Sequence, residues 1–383
     1  MRKIFKFAMF TVVALTLSTV LASCGDDDDD PNSSVEEKEL QLAVTNKQFV
    51  DKTVIATYKA LADACEELQD VVENMTSQSS LEKACDLWKS SRQYWEWSEA
   101  FLFGAASGYS IDPHIDTWPF DVTAFNNVMS KFHPATNPSD AEAIDHLVAT
   151  TQNFTGFHAM EYVIFREGKP RNFADLTDDE IYFTQSVAAD LYLSACRLEA
   201  AWAGIDNVKA SRKQLLEEEE MEPENNFGDE MINAGKAGSR WSSVTLASVQ
   251  ILEGCQDIIG EVADSKIAAA HDGEDTNYIE SPHAYNSVQD FYDNILSCKH
   301  ALYGGMTING TTPDANSLMA FCLSNYPNEA KEVTNAMEEA LTKINAMKRP
   351  FVIYYSDPSA GDAIEALHDL DDAIDALKKK LND

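Results

Sequence analysis

Residues Gly156-Phe157-His158-Ala159-Met160-Glu161 place an imidazole and a carboxylate one helical turn apart, a spacing from which two metal ligands can act on one face. From Asp140 to Phe165 there is no proline and a single glycine, so the sequence predicts one helix across the stretch. Phe154, His158, Glu161 and Phe165 continue the three-or-four-residue rhythm of Ile144, Leu147 and Val148, which turns both polar groups toward the packing side. An unpaired ion buried there costs several kcal/mol or more, so the pair must be hydrogen-bonded, ion-paired or metal-bound. The competing reading is a core histidine satisfied by its neighbours, because buried polar groups are usually paired.

A second carboxylate is marked by the same logic. A helix capped by Ser80 and running to about Phe103 carries Leu81, Ala84, Trp88, Trp95 and Leu102 on its packing stripe, and Glu99 falls in that register. A partly exposed boundary residue is the alternative. Gly104 closes this helix, and residues 105–139 read as a long irregular segment containing Asp112-Pro113-His114-Ile115-Asp116-Thr117-Trp118-Pro119. Loops of that length inside a compact domain usually carry function, and this one brings His114, His133 and several aspartates within possible reach of a metal.

The elements that must position these groups are helical. A long acidic helix is expected from Val35 to Met75, with Val50, Val54, Tyr58, Leu61, Cys65, Leu68 and Val72 on its inner face. Others follow at about Asp178–Trp202, Ser239–His271, Ser287–Tyr303, Ala315–Met347 with a break at Pro327, and Ala360–Leu381. The charged run Glu217–Gly228 reads as a connection. These elements predict an all-α chain of two helical bundles, residues 38–216 and 229–383, joined through 217–228. No period-two strand, phosphate loop, Cys-x-x-Cys pair or nucleophile elbow is present.

At the N-terminus, Arg2, Lys3 and Lys6 precede an apolar run that ends in Leu21-Ala22-Ser23-Cys24, the pattern of a lipoprotein signal whose cysteine becomes lipidated. Residues 1–24 are thus read as the signal and lipobox, with Cys24 as a membrane anchor that does not span the bilayer. Residues 25–37, which include Asp26–Asp30, read as an acidic flexible tether. An acidic run directly after the cysteine resembles the surface-export signal of Bacteroidetes-type lipoproteins, which implies a lipid-anchored, surface-exposed outer-membrane location. A net charge of −35, from 64 acidic and 29 basic residues, disfavours nucleic acid and anionic lipid surfaces and favours cations. Of seven cysteines, Cys24 leaves six. Cys65 and Cys85 flank a helix turn and could meet, while buried free thiols are the other reading.

Three separated pieces resemble the imelysin family of secreted or lipid-anchored helical proteins. They are Gly156-x-His158-x-x-Glu161; Trp97-Ser98-Glu99-Ala100-Phe101-Leu102-Phe103-Gly104 followed by Asp116-Thr117-Trp118-Pro119; and Glu280-Ser281-Pro282 with Asn286-Ser287 and Asp290-Phe291. The resemblance implies two bundles related by a rough internal duplication, with a site at their interface. It implies that His158, Glu161 and Glu99 hold a metal ion, iron first and zinc as the alternative, with Gly156, Asp116, Trp118, Glu280, Ser281, Asn286, Ser287 and Asp290 around it. The function expected is binding of a metal ion or metal-containing ligand in iron or haem uptake, with an unidentified transport partner in the envelope. The alternative is a zinc metallopeptidase that draws a third ligand from His114, His133 or His283.

Overall fold

A computed structural model describes residues 31–308 and 310–382. Cys24 and the Asp26–Asp30 run, which carry the anchor and export readings, lie outside the described residues. The first helical path runs unbroken over 31–73, as Pro31–Gln48, a π-helical stretch Phe49–Val54 and Ile55–Glu73. It therefore begins inside the stretch read as a tether, with proline in the first turn, where its missing N–H costs nothing. Val50, Val54, Tyr58, Leu61, Cys65, Leu68 and Val72 are all buried, as the spacing requires.

The path turns at Ser77 into the helix Gln78–Glu96. Ser77, not Ser80, is the N-cap: its Oγ accepts from the Ser80 amide, and the Ser80 hydroxyl accepts in return from the Ser77 amide. That helix stops earlier than its pattern suggests and gives way to a 3-10 turn, Glu99–Phe101. The stretch read as irregular holds three short helices, Ala105–Gly108, Asp112–Ile115 and Val122–Met129.

The single helix expected from Asp140 to Phe165 is two, Pro138–Thr150 and Gly156–Ile164. The break follows from Gly156, whose φ of +79° cannot be part of a preceding helix. A Cβ there would lie 2.1 Å from the carbonyl oxygen of Ile115, so glycine lets the His158 helix start directly against the residue before Asp116.

The helices 31–73, Gln78–Glu96, Gly156–Ile164 and Asp178–Ala203 pack together. The chain between them and the later helices is itself partly helical, as Ala210–Glu218 and Phe227–Ile232. A second group packs on itself: Val244–Gly260, which continues through a π-helical stretch Glu261–Ile267, then Ser287–Tyr303, Leu318–Asn325, Pro327–Ala346 and Pro358–Asn382. Pro31–Gln48 lies on this second group, against Val244–Gly260 and Leu318–Asn325, so the first path touches both sets. The buried apolar side chains form one continuous cluster.

Strand is confined, among the described residues, to a two-residue antiparallel pair, Phe165–Arg166 with Lys169–Pro170. Its turn residues Glu167 and Gly168 both have positive φ, as a tight hairpin demands. The six cysteines from Cys65 onward are buried and free, so Cys65 and Cys85 do not pair. No helix of the described residues is long and apolar enough to cross a membrane.

Candidate metal and charge centre

Arg92 is the buried hub. It lies on Gln78–Glu96 with no exposed surface. Its guanidinium pairs with Glu96 on the same helix, with Asp116 from the segment after Asp112–Ile115, and with Glu280 at 2.7 Å, while Asp290 of Ser287–Tyr303 lies 3.9 Å from Nε. A second buried cation, Lys266 of the π-helical stretch, reaches Glu280 at 3.1 Å. Glu96 also accepts from the Asn294 side-chain amide.

His158 projects from the start of its helix into this cluster. Nε2 lies 3.1 Å from Asp116 Oδ1 and 4.0 Å from Glu280 Oε1, and the ring packs on Trp118 with centroids 4.6 Å apart. Asp116 is held from its other side by the Trp95 indole N–H at 2.7 Å. One ligand atom each from Asp116, His158 and Glu280 falls within 4.8 Å of the others, a separation that one ion could span.

Glu161, expected to act as a ligand beside His158, has other commitments. Its Oε1 accepts from the backbone amides of His283 and Ala284 at 2.8 and 2.7 Å, and Oε2 faces His158 Nδ1 at 3.4 Å. The carboxylate therefore fixes the 280–287 segment and the orientation of the imidazole. Gly168 N–H donates to the His283 carbonyl at 2.9 Å, so the short hairpin secures the same segment.

Ser287 Oγ donates to the Glu280 carbonyl at 2.5 Å, Asn286 donates to Asp290 at 2.6 Å, and buried Ser281 takes a φ of +46°. These three residues shape the backbone that carries Glu280. Glu99 is brought close but not into the triad: it is buried in its 3-10 turn and lines a cavity of about 320 Å³. Asp112, Asp116, Glu261, Glu280 and Lys266 also face this space.

None of the three histidines considered as a third ligand joins His158. His114 pairs with Asp190 and His133 with Asp179, whereas His283 lies edge-on to Tyr162 with centroids 5.2 Å apart. Arg92, Lys266 and Glu261 were missed from sequence. Arg92 was within reach, because positions 88, 92, 95 and 99 share one stripe and an arginine between Trp88 and Trp95 must be buried.

Burial and the local charges set opposite directions at neighbouring groups. Burial would raise the Asp116 pKa, but Arg92 and His158 hold it well below the usual range. Burial would lower His158, yet its hydrogen bonds to Asp116 and Glu161 leave it raised. Burial pushes Glu99 and Glu96 well up, carries Asp112 to about 6 with help from Asp116, and carries Asp290 to about 7 against the pull of Arg92. Lys266 stays well above its ordinary value because Glu280 and its neighbours outweigh burial.

The family model described as Peptidase_M75, imelysin, matches residues 54–381. The chain is 23% identical over 354 residues to iron-regulated protein A of Synechococcus elongatus, covering 91% of this chain and 85% of that protein. Among solved structures, a crystal structure from Parabacteroides distasonis, described as a candidate iron-regulated protein A precursor, superposes with a TM-score of 0.75 at 24% identity. It covers 90% of this chain and 95% of its own. An imelysin-like protein from Psychrobacter arcticum superposes with a TM-score of 0.61 at 14% identity, over 88% and 93% of the two chains. At these identities the structural matches establish the fold.

The pKa directions give a sign for pH dependence. Asp112, Asp290, Glu96, Glu99 and His158 all have folded values above their ordinary ones, so each favours the folded state below its unfolded pKa and loses that contribution as pH rises through its folded pKa. His283 and His300 are lowered by burial and oppose this, but they are fewer. The depressed Asp116 matters only below about pH 4, near the ordinary aspartate value. The metal-free protein is expected to unfold at higher urea at pH 5.5 than at pH 8; equal or reversed midpoints would contradict this charge assignment.

Proposed function

Because the chain belongs to the imelysin family, we propose that it is a lipid-anchored cell-envelope protein that binds a metal ion, iron first, and serves iron uptake through an envelope transport partner. The observation that carries this reading is the convergence of Asp116, His158 and Glu280 beside a cavity whose lining includes five acidic residues and one lysine. One imidazole nitrogen and two carboxylate oxygens suit Fe²⁺, Mn²⁺ or Zn²⁺ better than a soft metal. Glu280 Oε2 is buried without a hydrogen-bond partner among the described residues and so retains a lone pair for an ion, while His158 Nε2, 3.1 Å from Asp116 Oδ1, offers its lone pair on losing its proton to the incoming ion. The donor set therefore fits. Iron is preferred over zinc on the strength of the relatives named as iron-regulated.

Arg92 and Lys266 share the same carboxylates, so an incoming ion competes with resident positive charge. Such competition suits reversible loading better than permanent retention. Asp112 and Glu261 add negative charge to the approach and raise the local concentration of cations, and Glu99, whose carboxyl burial favours in the neutral form, lines the same cavity. Glu161 serves this reading as the group that orients His158 and ties down the Glu280 segment.

Calorimetry on chelator-free protein tests this function. At a hundredfold excess over Kd, a bound ion should stabilise the wild type by about 2.7 kcal/mol. His158→Ala and Glu280→Gln should each lose that gain while remaining helical. If the wild type and both variants respond alike to ferrous iron, manganese and zinc, the metal assignment fails. For the anchor, Cys24→Ala should move the protein from the membrane to the soluble fraction, and unchanged fractionation would refute lipidation there.

A further inference from the structure

Arg197 projects from Asp178–Ala203 and shows neither an ion pair nor a hydrogen bond among the described residues. Arg92, Arg171, Arg212 and Arg240 are each bound to carboxylates, and Arg166 and Arg349, also without ion pairs, donate to the Tyr162 and Phe165 carbonyls and to Asn345. Its Nε is buried without a hydrogen-bond partner. The guanidinium is instead held over the face of Tyr109, 4.3 Å from the ring centroid. Tyr109 is itself fixed, since its hydroxyl accepts from the Asn225 amide at 3.1 Å and its ring meets Phe227 edge-on at 5.7 Å. A buried donor without an acceptor is costly, and an acceptor on a bound ligand would relieve it.

The side chain faces a cavity of about 240 Å³, separate from the His158 centre but sharing Gln152 with the cavity beside it. Ser110, Thr150, Ser194 and Gln152 supply neutral hydrogen-bonding groups, and Ile111, Leu193 and Met221 supply apolar wall. The one carboxylate in the lining, Asp190, is already taken: Oδ1 lies 3.0 Å from His114 Nε2, and Oδ2 accepts from the Thr155 hydroxyl at 2.6 Å. What remains for a ligand is one planar, two-pronged cation, hydroxyl and amide groups, and an apolar side.

We infer that this pocket binds a small organic carboxylate, with Arg197 gripping the carboxylate through both arms of its guanidinium. The planar fork matches a carboxylate in size and charge. A phosphate dianion would bring a second negative charge beside Asp190 with no further unpaired cation to meet it, and the apolar wall suits a carbon skeleton. Stacking on Tyr109 holds the fork in place before the ligand arrives. The site is independent of the metal reading, so either can fail alone.

Calorimetric titration of the metal-free protein with butyrate, a monocarboxylate, at low ionic strength, with inorganic phosphate as the comparison anion, tests the assignment. Butyrate should bind the wild type, at least tenfold more tightly than it binds Arg197→Gln, and more tightly than phosphate does. Arg197→Lys keeps the charge but loses the fork, so it should bind several-fold more weakly than wild type. This variant decides the matter if Arg197→Gln does not fold. Absence of butyrate binding to the wild type, equal affinity in the variants, or tighter binding of phosphate would each overturn the proposal.

Discussion

The structure depends on one buried guanidinium. Arg92 joins carboxylates from its own helix, from the segment after Asp112–Ile115, from the residue that precedes the 281–287 loop, and from Ser287–Tyr303. These groups come from both sets of helices, so the pairing fixes how the sets meet. Each partner is costly to bury alone, and their combination is stable only while the geometry is kept. The neighbouring elements are arranged to keep it. Gly156 lets the His158 helix press against Ile115, and Trp95 holds the far oxygen of Asp116.

The Gly-x-His-x-x-Glu motif divides its labour within this frame. His158 faces the charge centre, whereas Glu161 turns to the 280–287 segment and accepts its amides. That segment has positive φ at Ser281 and Tyr285, and it is held by Glu161, by the Gly168 amide and by the Ser287 hydroxyl. The result is a Glu280 carboxylate presented to Arg92, Lys266 and His158 together. A helix one turn long in chemistry thus positions one donor directly and a second through the other half of the chain.

Much of the fold was legible because it follows from periodicity. The inner face of residues 31–73 is the stripe that Val50, Val54, Tyr58, Leu61, Cys65, Leu68 and Val72 spell out. Local misreadings have local causes: two serines three apart left the cap ambiguous between Ser77 and Ser80, and the break before Gly156 depended on a backbone angle that composition does not encode. At the site, the Gly-x-His-x-x-Glu motif marked His158, and the other two family pieces placed Asp116 and Glu280 around it but not as ligands, a role read instead for Glu161 and Glu99; the motif did not distinguish a ligand from a clamp at Glu161. Spacing reports which side of a helix a carboxylate occupies; which amides it meets depends on a segment more than a hundred residues away. Arg92 and Lys266 are not marked by any ligand spacing; they follow only from the counter-charge that burial of those carboxylates requires.

The most direct test of this account is the unfolding free energy of Arg92→Met, compared with wild type by urea titration at pH 7.5. A methionine fills similar volume but leaves Asp116, Glu280, Glu96 and Asp290 without their shared cation. The predicted loss is about 3–5 kcal/mol, the cost of breaking a buried ion pair. Arg92→Lys should recover little of it, because a single ammonium cannot reproduce the fork. An Arg92→Met protein within about 1 kcal/mol of wild type, the usual worth of a surface pair, would contradict the central role given to this guanidinium.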